Sequence, residues 1–208
     1  MTHPSRPNVL FLGVTYAGHA TRFANLQANL QDIPDIHPSF HSVTGWKEGG
    51  LIERSPFLPR SMRGRLRAVA EARPFAALPR PDAIWLSAPE VVLPYLWSQL
   101  GRLRRPLILD LDATRAQLDR MSRWYFNRPP REGLRAHFEA ANERLLRSST
   151  VLFTPWSNWA AEGLREEGVP SERIRVIPPG VNLSEWQPAT PRQRSSRPLR
   201  LLFVGGNF

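Results

Sequence analysis

The run Asn8-Val9-Leu10-Phe11-Leu12-Gly13-Val14, followed by Thr15-Tyr16-Ala17-Gly18-His19-Ala20-Thr21, decides the fold. Its first half is nearly all apolar, which suits a strand covered on both faces, as in a parallel sheet. Its second half is a polar loop. Phe23, Leu26 and Leu30 then recur at i, i+3 and i+7, the spacing of one helical face. The opening unit is therefore strand, loop, helix.

Working outward, the alternation continues. Ile36 to Val43 reads as a second, weaker strand, and Pro59 to Arg73 as an arginine-rich helix. Ala83-Ile84-Trp85-Leu86 is a buried-type strand. Ala88-Pro89-Glu90 opens a helix through about Leu103, with Pro89 at the position helices accept and Pro94 a source of kinking. Pro106 to Asp112 is the next strand, and Leu134, Phe138, Ala141 and Leu145 mark one face of a long helix. Thr150 to Thr154 is a strand, Ser157 caps a helix ending at Gly168, and Ile174 to Ile177 is a short strand. Such alternation predicts an α/β fold: a Rossmann-like open parallel sheet with helices on both faces. Ligands bind such sheets at the carboxyl ends of the strands. Residues 1–186 are expected to form this domain, and 187–198 a Pro/Arg/Ser linker. Residues 199–208 then carry a strand that either opens a second domain or joins the first sheet's edge.

The 208 residues include 28 Lys and Arg against 18 Asp and Glu, a formal charge of +10, with Lys47 the only lysine. That excess favours anionic partners, though a merely solvated surface explains it as well. Cysteine is absent, which removes disulfides, thiolate nucleophiles and cysteine-held zinc and fits a reducing compartment. No apolar run reaches a membrane span, and Val9–Val14 is short for a signal-peptide core. A cytoplasmic protein is expected.

Several chemistries drop out. There is no G-x-G-x-x-G, P-loop, H-E-x-x-H or G-x-S-x-G. His37 and His41 share a strand face ~13 Å apart, too far for one metal, so no metal is expected. Asp110 and Asp112 end a strand and alternate onto one face. Paired carboxylates there could work as acid and base or bind substrate, or Asp112 could cap the next helix. The loop Thr15–Thr21 offers helix amides to anions, with His19 as a donor, or is an ordinary turn. Trp156 and Trp159 could stack on a sugar or anchor the core.

A resemblance now becomes specific. It is carried by Val151 to Ala160, Gly168 to Asn182, Trp186-Gln187-Pro188 and Leu201 to Phe208, in that order and spacing. Together they resemble the interdomain stretch of family 4 retaining glycosyltransferases. Asp112-Ala113-Thr114-Arg115-Ala116-Gln117-Leu118-Asp119 looks like the DATP-x-Q-x-D segment of one branch, with Arg115 in place of its proline. The resemblance implies the N-terminal, acceptor-side half of a GT-B fold and a hinge over 178–198. It also implies a retaining, metal-independent transfer from a nucleotide-sugar to a carbohydrate or lipid-linked acceptor. Nucleic acid is not an expected partner. The 208 residues alone are expected to be inactive.

Within that reading Asp112 is the catalytic candidate. Gly13, Tyr16, Gly18, His19, Asp110, Gln117, Ser157, Gly180 and Asn182 are candidates for binding substrate, and Gly205 and Gly206 for opening the donor-phosphate loop. The family's histidine near the fifth strand is replaced by Asp110-Leu111-Asp112. Two rivals stand beside this reading. One is a nucleotide-sugar epimerase on the same scaffold. The other is a non-catalytic basic module that binds anionic membrane or nucleic acid. In the segment 57–75, Met62, Leu66 and Val69 plot onto one helical face and Arg60, Arg63 and Arg67 largely onto the other. This helix is expected either to dock peripherally on the anionic inner membrane face or to pack its apolar side on the sheet.

Overall fold

The computed structural model describes residues 6–15, 17–72, 74, 81–87, 106–121, 140 and 142–183. The strands are β1 (Asn8–Val14), β2 (His37–Val43), β3 (Ala83–Ser87), β4 (Leu107–Leu111) and β5 (Val151–Pro155), and the helices α1 (Ala17–Leu30), α2 (Leu51–Arg54), α3 (Arg60–Ala72), α4 (Arg115–Arg120) and α5 (Asn158–Glu166). Every strand pairing is parallel, in the order β2-β1-β3-β4-β5. This is a doubly wound order, whose switch point lies between β1 and β3.

Side-chain alternation along the strands builds two cores. On one face Val9, Phe11 and Trp85 pack with Phe23 of α1, joined by Leu26, Leu30 and Phe40. Phe11 stacks on Phe40 at 4.6 Å, and Phe23 lies 6.2 Å from Trp85. On the other face Leu10, Leu12, Leu86, Leu109 and Phe153 pack with Ala72 of α3, Leu145, and Ala161 and Leu164 of α5. Apolar side chains thus alternate to both faces of one central strand. That is why β1 reads as a continuous apolar run, with helices on both sides.

Gly13 has a steric reason. A Cβ there would lie 2.1 Å from the Phe23 ring, so glycine lets α1 seat directly on β1. α5 begins as its sequence predicts, with the Ser157 hydroxyl accepting from the Ala160 amide. It ends in a Schellman motif: Gly168 takes φ +86°, and the amides of Gly168 and Val169 donate to the carbonyls of Arg165 and Leu164.

Several expectations need correction. The strand predicted over 174–177 is reduced to a single bridge between Ile174 and Phe153. Two further amides, of Arg175 and Ile177, donate to the carbonyls of Phe153 and Pro155. The prolines at 178 and 179 halt any longer ladder. Asp112 does not cap the following helix. Thr114 does, in a capping box where its hydroxyl accepts from the Gln117 amide and the Gln117 side chain accepts from the Thr114 amide. The one-turn helix α2 was not expected. The helices expected over 88–103 and most of 134–145, the linker 187–198 and the strand 199–208 lie outside the described residues.

The arginine face expected of α3 is corrected for two of its three members. The Arg67 guanidinium forms a two-pronged pair with Glu53, with both N–O distances 2.7 Å. Arg63 donates to the carbonyls of Leu58 and Glu53. Leu66 is exposed, which disagrees with the expectation that this apolar side packs on the sheet, whereas Ala68 and Ala72 are buried. Specific hydrogen bonds to α2 and its flanking turns outweigh the simple separation of polar from apolar residues.

Candidate functional site

Because all the strands run the same way, their carboxyl ends bring five loops to one end of the sheet. At its centre stands Asp110, on the last pleat of β4 that faces α1, with 0% exposure. A buried carboxylate needs compensation, and four donors supply it. Arg22 of α1 donates from Nε to Oδ2 at 2.8 Å and from Nη2 to Oδ1 at 2.7 Å. The Trp156 indole N–H reaches Oδ2 at 2.7 Å, and the Thr154 hydroxyl reaches Oδ1 at 3.0 Å. Charge-assisted, two-pronged bonds of this kind are the strong ones.

The network spreads from there. Arg22 also donates to the Ile177 carbonyl at 3.2 Å, and Asn25, three residues on, donates to the Gly180 carbonyl at 3.2 Å. α1 thereby fastens the segment 177–180 across the end of the sheet. The Arg22 guanidinium lies 5.3 Å from the Trp156 ring centroid, the His19 ring centroid is 4.7 Å away, and a Cβ on Gly18 would sit 3.7 Å from that ring. Trp156 is thus the hub on which Gly18, His19, Arg22 and Asp110 meet.

The remaining candidates fall as follows. Asp112 stands just beyond β4 and is exposed, unlike Asp110, because the strand ends at Leu111. Asp110, a candidate for binding substrate, has both carboxylate oxygens engaged by protein donors and shielded from solvent. Gln117 is buried. Its carbonyl serves the capping box and its amide donates to the Trp159 carbonyl at 2.7 Å, tying α4 to α5. Gly163 gives it room, since a Cβ there would lie 2.5 Å from the Gln117 amide. Ser157 is engaged as the α5 cap, and Gly13 in packing under Phe23. Gly180 is exposed and Asn182 half-buried. Tyr16, Gly205 and Gly206 lie outside the described residues.

Sequence reasoning missed Arg22. Two signals pointed to it: a cation within the helical register of His19 and Leu26, and an aspartate inside the buried run Leu107-Ile108-Leu109-Asp110-Leu111. A buried aspartate requires a buried counter-charge. Trp156 behaves as an anchor with a polar handle, one of the two roles open to it. No group of three metal-ligating side chains occurs among the described residues.

The family model described as "Glycosyl transferase 4-like domain" matches residues 16–180. No curated protein matches the sequence. Among solved structures, the fold is similar to the crystal structure of a UDP-N-acetylglucosamine 2-epimerase, with a TM-score of 0.53 and 11% identity. The match covers 83% of this chain and 48% of that one, so the chain spans about half the length of that enzyme. At this identity the likeness is one of fold.

Proposed function

The chain belongs to the glycosyl transferase 4-like domain family, and from that premise we propose that it forms the acceptor-side half of an enzyme that transfers a sugar, with retention, from a nucleotide-sugar to a carbohydrate or lipid-linked acceptor. The family match over 16–180 carries this reading. The fold supports it, because the loops at the carboxyl ends of β1, β4 and β5 converge around one network.

In this reading the acceptor lies over the mouth formed by Gly18, His19, Asp112, Gly180 and Asn182. His19, packed against Trp156, donates to a hydroxyl or phosphate oxygen. Asp112, the exposed carboxylate, accepts from the acceptor hydroxyl and orients it for attack. Asp110, Arg22 and Trp156 hold these groups in register without touching substrate. The second half supplies the donor site. Gly205 and Gly206 open its diphosphate loop, where backbone amides offset the charge that builds on the leaving group. The chemistry takes place in the cytoplasm and no metal is required. Among the described residues no helix is long and apolar enough to cross a membrane.

The test is a nucleotide-sugar panel assayed with the full-length protein, wild type and Asp112→Asn. Transfer with release of nucleoside diphosphate is expected, with the anomeric configuration read by NMR. Asp112→Asn should lower kcat by about 10²-fold or more while leaving the melting temperature unchanged. A second reading is favoured by the epimerase-like fold. Under it, the protein inverts a stereocentre of the nucleotide-sugar without any acceptor. Epimerised donor in an acceptor-free reaction would replace the first reading by the second.

A further inference from the structure

The excursion between β2 and α3, residues 44–60, is unusually well fastened for a segment that exposes so much apolar surface. The Glu71 carboxylate accepts from the Thr44 amide and hydroxyl, each at 2.8 Å, and from the Gly45 amide at 3.3 Å. Glu53 of α2 is held by Arg67, and Arg63 clasps the carbonyls of Glu53 and Leu58. The Trp46 ring lies 5.2 Å from the Arg60 guanidinium.

Within this scaffold Leu51 is 88% and Phe57 91% exposed, with Trp46 at 39% and the neighbouring Leu66 at 41%. A scattered exposed leucine needs no explanation. Two nearly bare apolar side chains on a segment pinned at three places do call for one. The charges around them have one dominant sign. Exposed in 46–60 are Lys47, Arg54 and Arg60 against the single acid Glu48, while Glu53 is buried and already paired with Arg67. The excursion leaves β2 at its carboxyl end, the same end of the parallel sheet as His19 and Asp112.

We propose that residues 46–60 form a docking surface for an anionic lipid bilayer, with Leu51 and Phe57 inserting among the acyl chains and Lys47, Arg54 and Arg60 meeting lipid phosphates. Interfacial binding requires apolar insertion together with attraction to anionic headgroups, and this segment offers both. Its position brings the acceptor end of the sheet to the bilayer. That purpose rests on the lipid-linked acceptor proposed above, but the binding does not, and it is measured without any sugar substrate. A failed transfer assay and a failed docking assay therefore remain distinguishable.

The experiment is sedimentation of the purified chain with phosphatidylcholine vesicles, with and without ~30 mol % phosphatidylglycerol. The wild type is expected to bind only the anionic vesicles and to be released by salt. Leu51→Ser/Phe57→Ser should weaken partitioning by at least about tenfold, and Lys47→Glu/Arg54→Glu should abolish the preference for anionic lipid. Val181→Ser, which removes a different exposed apolar side chain, should change nothing. Circular dichroism should match wild type throughout, since the altered side chains are exposed. The proposal is overturned if the wild type ignores anionic vesicles or if Leu51→Ser/Phe57→Ser binds as well as wild type. It is also overturned if light scattering shows a dimer that this double substitution dissolves, which would make a second copy the occupant.

Discussion

Asp110 is tolerable at full burial because Arg22, Thr154 and Trp156 all donate to it, and Arg22 is tolerable because Asp110 receives it. Removing one member of such a pair strands the other's charge in low dielectric. Arg22→Met should therefore cost about 3–5 kcal/mol in urea denaturation, and Arg22→Met/Asp110→Leu clearly less. A double substitution that costs as much as the two single ones added together would show that the charges are not coupled. Gly13 works through space rather than charge. Phe23 is hemmed in by Phe40 and Trp85, so its ring cannot step aside. Gly13→Ala should cost about 1–3 kcal/mol, measurable by the same denaturation. The glycine was legible in the sequence as the end of a strand, but its collision with Phe23 was not, because that depends on where α1 lands.

The corner made by α2 and α3 depends on one acid. Hydrogen bonding from Arg67 holds the Glu53 carboxyl at about 2, well below its ordinary 4.5, while the same contact raises the Arg67 pKa. A depressed carboxyl contributes stability in full above its unfolded value and loses it as pH falls through the folded one. The corner should therefore loosen between about pH 4.5 and pH 2. Amide exchange over 51–58 should accelerate in that window beyond its intrinsic pH dependence, and Glu53→Gln should flatten the change. A profile indifferent to Glu53→Gln would argue against this ion pair as the clasp. The two capped helices behave more simply. Thr114→Ala and Ser157→Ala should each cost about 0.5–2 kcal/mol in thermal or urea unfolding. Thr114→Ala removes only the hydroxyl that accepts from the Gln117 amide and keeps the backbone N–H that donates to the Gln117 side chain, so half of the capping box survives it.

Across the whole molecule, order in the sheet sets a hierarchy of protection. β1 and β3 are flanked on both sides, whereas β2 is an edge strand with β1 as its only sheet neighbour among the described residues. Hydrogen exchange should therefore be slowest in β1 and β3 and faster in β2, whose Pro38 also withholds a ladder donor. The segment 177–180 belongs to the same hierarchy through α1. Asn25→Ala should raise exchange at 181–183 while leaving β4 unchanged, because Asn25 contributes one bond to Gly180 and none to the core. Faster exchange spreading into β4 would mean that the strap is part of the core rather than fastened onto it.

What the sequence determined by itself was local and periodic. Apolar runs at strand length, helical spacing after each loop, Ser157 before α5 and Gly168 after it specify a doubly wound sheet, since these signals act within a few residues of one another. The cluster at the carboxyl ends was foreseen as a place but not as a network. Arg22 and Asp110 are 88 residues apart, and Asn25 and Gly180 are 155 apart. The pairing of Arg67 with the Glu53 carboxylate, and of Arg63 with the Glu53 and Leu58 carbonyls, likewise turned inward two arginines that a helical projection assigns to the outside. Tertiary structure alone decided these matters, because a charge buried by the packing of distant elements takes whatever partner that packing brings within reach.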